Sequence, residues 1–110
     1  MVISTTHVRA AVDALDESDR QRGFDSQTSL LLRIGKVSEE IGEVWRAYIG
    51  AVGQNPRKGF YSDFWHVAEE LADVALTAIV AMATVDPAGW ERILAETVTT
   101  KTTRLLDGQE

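Results

Sequence analysis

Apolar and polar positions recur along this chain with the period of helices, and no strand-like alternation competes. From about Thr5 to Arg22, Val8, Val12 and Leu15 stand at helical spacing, and a polar run leads into Gly23, which suits the position just past a helix end. A second helix is expected from a cap at Asp25 or Ser26 to about Ile49. At about 100° per residue, Leu30, Ile34, Val37, Ile41, Val44, Tyr48 and Val52 form one stripe on it, and Lys36, Glu40, Glu43 and Ala47 form another. The stretch from Gly50 to Gly59, with Gly53, Asn55 and Pro56 inside it, is rich in breakers and reads as a connection. A third helix is expected from a Ser62 cap to about Val85. Asp86 and Pro87 then supply the cap and first residue of a fourth, which runs to about Leu106 and carries Trp90, Ile93, Leu94, Val98 and Leu105. The expected fold is all-α: a single domain over 1–110, a bundle of four to five helices around a long antiparallel hairpin. Each hairpin arm would be about 36 Å long at roughly 24 residues.

From Leu71 to Val85 the third helix is aliphatic except for Asp73, Thr77, Thr84 and the Met82 thioether. A helix apolar on nearly every side is expected to be buried on nearly every side, and one hairpin cannot cover it. A homodimer or a dimer of dimers is therefore expected, with the active site near the interface. In such surroundings Asp73 needs a partner, because an isolated carboxylate taken out of water costs several kcal/mol. His66, Glu70 and Thr77 share its side of the helix, while Val67 to Val85 holds no Lys or Arg. Glu40 and Glu43 repeat the i, i+3 spacing on the second helix, and the small residues Gly42 and Ala72 would let the two helices approach. The carboxylates Glu40, Glu43, Glu70 and Asp73 are then expected to converge on one or two divalent cations. Oxygen-only donors favour Mg²⁺, with Mn²⁺ as the alternative and Ca²⁺ as a competitor. No Glu has a His three places later, so a di-iron bundle is disfavoured.

Composition narrows the partners. With 17 acidic residues against 11 basic ones, the formal charge of −6 repels phosphate backbones and anionic lipid, so neither nucleic acid nor membrane is an expected partner. There is no cysteine, which removes disulfides, thiolate metal sites and cysteine nucleophiles. Met1 to His7 has neither a basic region nor a long apolar run, and the apolar stretch from Val74 to Val85 is too short to span a bilayer. A soluble cytoplasmic protein is the expectation. A polyphosphate ligand remains compatible with an acidic surface when the positive charge comes from a bound cation.

Glu39-Glu40-x-x-Glu43 followed by Glu70-x-x-Asp73, within Lys36-Val-Ser-Glu-Glu-Ile-Gly-Glu-Val and Ala68-Glu-Glu-Leu-Ala-Asp-Val, resembles the signature of MazG-like, all-α nucleoside triphosphate pyrophosphohydrolases, relatives of dimeric dUTPases and dCTP pyrophosphatases. The resemblance covers Leu31 to about Ala83. It implies Mg²⁺-dependent hydrolysis between the α and β phosphates, giving a nucleoside monophosphate and pyrophosphate. It further implies Glu40, Glu43, Glu70 and Asp73 as metal ligands and Glu39 as the residue that activates or orients water. Lys36, Arg57, Lys58, Lys101 and Arg104 are the candidates for the triphosphate, and Phe24 and Trp45 for the base. Two positions depart from the family pattern: Thr77 stands where some relatives have an aromatic, and Lys101-Thr102-Thr103-Arg104 lacks an Asn found between the two basic residues in many.

Blander readings stand beside these. Glu39, Glu40 and Glu43 alone describe a solvated helix face, and it is Asp73 that turns them into a site. His66 reads first as a hydrogen-bonded structural histidine and Glu69 as a surface or salt-bridge residue. The aromatic residues read as core or interface, and Asn55 to Gly59 as either a plain turn or a phosphate-binding loop. As a whole, the chain has two rival readings: a non-catalytic helical regulatory or partner-binding module, or an enzyme like phosphoribosyl-ATP pyrophosphohydrolase.

Overall fold

The computed structural model describes residues 3–108, which form four α-helices and no strand: α1 (Thr5–Gln21), α2 (Ser26–Val52), α3 (Phe64–Val85) and α4 (Trp90–Leu106). Side-chain caps start the first three. Ser4 Oγ accepts from the His7 amide (3.2 Å), Asp25 Oδ1 from Thr28 (2.7 Å) and Asp63 Oδ1 from His66 (2.8 Å). The third cap is thus Asp63 and not Ser62, whose hydroxyl turns to the Asp63 carbonyl. Asp86 does bond forward, accepting from the Gly89 amide at 3.0 Å, but Pro87 to Gly89 form a separate turn and α4 begins only at Trp90. After α1 the chain turns through Gly23 (φ 80°), with Phe24 N–H donating to the Asp19 carbonyl and Gly23 N–H to Arg20, the paired bonds of a Schellman ending.

The long hairpin of α2 and α3 is present, but its arms are unequal. α2 has 27 residues and α3 has 22, about 40 and 33 Å. α2 continues past Ile49 through Gly50, because there the glycine is a packing residue and not a breaker. A Cβ at Gly50 would lie 2.5 Å from the Tyr61 ring and 2.9 Å from Ser62 Cβ. The helix ends at Gly53 in the left-handed region (φ 66°). Tyr61 fixes the return, its amide donating to the Gly50 carbonyl and its hydroxyl to the Arg46 carbonyl, both at 3.1 Å. Gly42 and Ala72, expected at the helix contact, lie instead on outer faces and are exposed; Ala47 (2% exposed) and Gly50 make the close approach.

α3 packs against all three other helices. The core lies around its C-terminal half, where Val8, Val12, Ile79, Val80, Ala83 and Trp90 meet, flanked by Met82 and Leu94. Burying these side chains is the main favourable term that joins α1 and α4 to the hairpin. The expectation that α3 is buried on nearly every side does not hold within one chain. Only Ile79, Val80, Ala81 and Ala83 are buried along it, while Leu71, Leu76, Phe64 and Trp65 are half or more exposed, because α1 and α4 cover only the far half of the helix. Similarly, α2 turns Ser29, Arg33, Ala47 and Gly50 inward and leaves Ile34, Ile41, Tyr48 and Val52 of its apolar stripe exposed. Of the aromatic side chains read as core or interface, only Trp90 is buried within the chain. The result is an open plate of 45 × 44 × 23 Å. Its radius of gyration is 17.1 Å, against about 13 Å for a compact chain of this length. Its accessible surface is 8170 Å², where about 6000 Å² is usual for a monomer of 12.1 kDa.

One buried charge ties three helices together. Arg33 of α2, 7% exposed, pairs with Asp16 (2.8 Å) and Asp19 (2.9 Å) of α1 and donates to Thr84 Oγ1 of α3 at 3.0 Å. Its Nε is buried without a partner. Hydrogen bonds from Ser29 and then from Arg33 hold the Asp19 carboxyl below its ordinary pKa. A carboxyl that titrates lower folded than unfolded adds stability above its unfolded pKa and loses it as pH falls through the lower folded value. Arg33→Met should therefore lower stability in urea unfolding at neutral pH, since it leaves Asp16 and Asp19 without their cation. It should also make the loss of stability below about pH 4 shallower than in the wild type, measured by the same unfolding curves at stepped pH.

Candidate metal centre

The register of the hairpin places the acidic residues. Gly50 meets Tyr61 of the connection, and α3 runs back antiparallel beside α2 from Phe64, bringing Glu70 and Asp73 toward Glu40. In the structure one carboxylate oxygen from each of Glu40, Glu70 and Asp73 lies within 4.8 Å of the others. Glu40 and Glu70 are 18% exposed, held against the helix seam. Asp73 is exposed, which corrects the expectation of a carboxylate sunk in a dry interior: it sits on the α2-facing edge of a helix half that nothing else covers. Thr77 Oγ1 donates to the Asp73 carbonyl at 2.7 Å, closing the polar stripe one turn on.

A lysine and a histidine reach two of the three carboxylates. Lys36 Nζ lies 3.6 Å from Glu40 and 3.1 Å from Glu39, and its bond to Glu39, then the charges of Glu39 and Glu40, hold its pKa above the ordinary lysine value. His66 Nε2 lies 3.4 Å from Glu70 and its Nδ1 3.7 Å from Glu69. Among the described residues no ion pair meets Asp73. Glu43 is not in the group. Although one turn from Glu40, it pairs instead with Arg46 at 3.2 Å. Three carboxylates in mutual repulsion, with only oxygen donors and no arginine among them, fit a hard divalent cation better than they fit one another.

Beside the carboxylates, α1, α2 and α3 enclose a cavity of about 590 Å³, a size suited to a nucleoside. Phe24, Leu32 and Leu76 give it apolar walls, while Lys36 and Thr77 border the carboxylates. Phe24 and Lys36 line the same cavity, and Lys36 alone links it to the trio, Phe24 standing about 20 Å along α2 from Glu40. Trp45 does not join them; 61% exposed, it stacks edge-on with Tyr48 (6.3 Å), which in turn meets Phe64. Arg57 and Lys58 are exposed in a turn closed by Asn55, whose Oδ1 accepts from the Arg57 amide at 3.0 Å. That turn is about 20 Å along the hairpin from Glu40. Lys101 and Arg104 lie on the outer half of α4, which makes no contact with this cavity.

The Arg33 knot is the feature that the sequence reading missed. Its signal was an arginine inside Leu30-Leu31-Leu32-Arg33-Ile34 with Asp16 and Asp19 one turn apart on the preceding helix. No family model matches the chain, and no curated protein or solved structure matches it either. No helix among the described residues is long and apolar enough to cross a membrane.

A cation bound by the folded trio and not by the open chain should raise thermal stability with concentration, by about 2.7 kcal/mol at a hundredfold excess over Kd. Asp73→Asn should remove most of that rise and, with one repelling charge gone, melt no lower than the wild type in EDTA. Differential scanning calorimetry at 0 and 10 mM Mg²⁺, on the order of intracellular-to-excess levels, reads both effects.

Proposed function

We propose that the chain is a Mg²⁺-dependent nucleoside triphosphate pyrophosphohydrolase, acting on a dNTP or non-standard NTP in the upkeep of the nucleotide pool. The observation that supports this most is the meeting of Glu40, Glu70 and Asp73, with Lys36 3.6 Å from Glu40 and also on the wall of a cavity of about 590 Å³. Glu40, Glu70 and Asp73 would hold the cation, and Glu43, paired with Arg46 here, would be available one turn away. The bound cation would neutralise phosphate oxygens and lower the pKa of a coordinated water.

The chain's own groups account for the remaining steps. Phe24 offers a ring face to the base. Lys36, kept protonated by its carboxylate neighbours, gives up part of that pairing to a phosphate oxygen. Glu39, exposed and one residue from Glu40, orients the water that attacks the α phosphorus and takes its proton. The bond from the α phosphorus to the bridging oxygen breaks, and pyrophosphate leaves.

The working unit on this reading is a homodimer or a dimer of dimers. About 2000 Å² of surface beyond a compact monomer's, rich in Ile41, Tyr48, Phe64, Trp65 and Leu71, matches what an obligate interface hides per subunit.

A panel of dNTPs, NTPs and modified nucleotides with Mg²⁺, assayed for pyrophosphate release, tests the activity. Turnover of at least one nucleotide is expected, abolished by EDTA. Glu40→Gln and Asp73→Asn should each lower kcat/KM about a hundredfold or more, about 2.7 kcal/mol of barrier. No turnover across the panel would favour the non-catalytic module.

A further inference from the structure

The cavity between α1, α2 and α3 has two polar ends and an apolar middle. Lys36 and Thr77 mark the end nearer the carboxylates, and Leu15, Leu32, Leu76 and Val80 wall the middle. The other end holds Asp19 and Arg22, one turn apart where α1 stops. These two set an acceptor beside a donor without being spent on each other. Among the described residues Arg22 makes no ion pair. Its charge still reaches Asp19 and, after the hydrogen bonds from Ser29 and Arg33, helps keep that carboxyl ionised. Asp19 Oδ2 accepts from Arg33 at 2.9 Å. A carboxylate has about four lone-pair sites, so Arg33 and Ser29 leave Asp19 capacity for the N–H groups of a ligand.

The spacing sets what lies between the two ends. Arg33, which Asp19 bonds, stands seven residues before Glu40, about 10 Å along α2. A nucleotide with its α phosphorus at the carboxylates covers that span with its sugar and a two-ring base, the ring faces against Leu32 and Leu76 and the outer edge at Asp19 and Arg22. A pyrimidine is one ring shorter. The two common purines then differ in sign. Guanine offers O6 and N7 as adjacent acceptors to a guanidinium fork, and N1–H and the N2 amine as adjacent donors to a carboxylate. Adenine sets its N6 amine against the guanidinium and the lone pair of N1 against the carboxylate. Donor then meets donor and acceptor meets acceptor, which a site built on paired polar groups rejects.

We infer that the cavity selects guanine, with Arg22 donating to O6 and N7 of the base and Asp19 accepting from N1–H and the N2 amine. This names the substrate class of the site and rests on the function proposed above, because the spacing is counted from the phosphate end.

Pyrophosphate release from dGTP, dITP, dATP, dCTP and dTTP with Mg²⁺ tests it, alongside calorimetric titration of the α,β-methylene analogues of dGTP and dATP, which are not cleaved at that bond. The kcat/KM for dGTP should exceed that for dATP about tenfold or more, with dITP, which lacks the N2 amine, in between. Arg22→Ala, at an exposed residue with no ion pair to lose, should cut the preference for dGTP over dATP about tenfold in rate and in binding. Asp19→Asn would also disturb Arg33, so the comparison of dITP with dGTP reads the Asp19 contact without altering the protein. Equal use of dGTP and dATP, or a preference that survives Arg22→Ala, overturns the guanine assignment and leaves the proposed function standing. Equal use of dITP and dGTP overturns the part given to Asp19. Tighter binding of the dGTP analogue with no turnover of any nucleotide overturns the proposed function and supports the assignment, whereas analogues that do not bind overturn it.

Discussion

Two groups of charged side chains interrupt the otherwise small and apolar seam between α2 and α3, and most of the molecule follows from how those charges are balanced. At one end Arg33 brings a single positive charge to Asp16 and Asp19 and is closed by Ser29 and Thr84. That end is nearly neutral, largely buried and braced by α1. About ten residues further along, Glu40, Glu70 and Asp73 bring three negative charges against one lysine. Negative charges outnumber positive ones there, so the same seam that is fastened by an arginine at one end is acidic at the other.

An inward polar face leaves the apolar stripe of α2 outward, and this explains the open plate. Leu30, Val37 and Val44 are half-buried at the margin of the seam, while Ile34, Ile41, Tyr48 and Val52 find no cover within the chain. α1 and α4 seal only the part of α3 from Ile79 to Ala83, so from the carboxylates to the turn at Asn55 the hairpin is two helices wide. Exposed apolar surface of that extent is the basis for the homo-oligomer proposed above.

Local chemistry was legible in the sequence, while the choice of packing face was not. Gly23, the Asp25 cap, the end of α3 at Val85 and the polar line His66, Glu70, Asp73 and Thr77 depend on near neighbours in the chain, and each lies where its local spacing puts it. Gly50 read as a breaker because its reason is Tyr61, eleven residues away. Gly42 and Ala72 read as contact residues because small size says that close approach is allowed and not that it occurs. The two stripes of α2 were visible, but hydrophobicity alone would have turned the wrong one inward, and only Arg33 and its two aspartates decide the matter. Asp73 read as buried because its neighbours are aliphatic. A helix can be apolar all round and still lie open when its cover belongs to another molecule.

The exposure of Asp73 changes the chemistry of the site more than it weakens it. A fully enclosed trio of carboxylates would pay the whole desolvation cost of its charges and leave a polyphosphate no approach. Here Glu40 and Glu70 are held by the seam, which fixes their direction, and Asp73 closes the group from the open side. On the proposed function, a cation held this way would keep coordination positions toward solvent for phosphate oxygens, and the cavity behind Lys36 would take the apolar end of the same ligand. The boundary between the braced and the bare halves of the hairpin is thus the one place where rigid donors, an open approach and an apolar recess occur together.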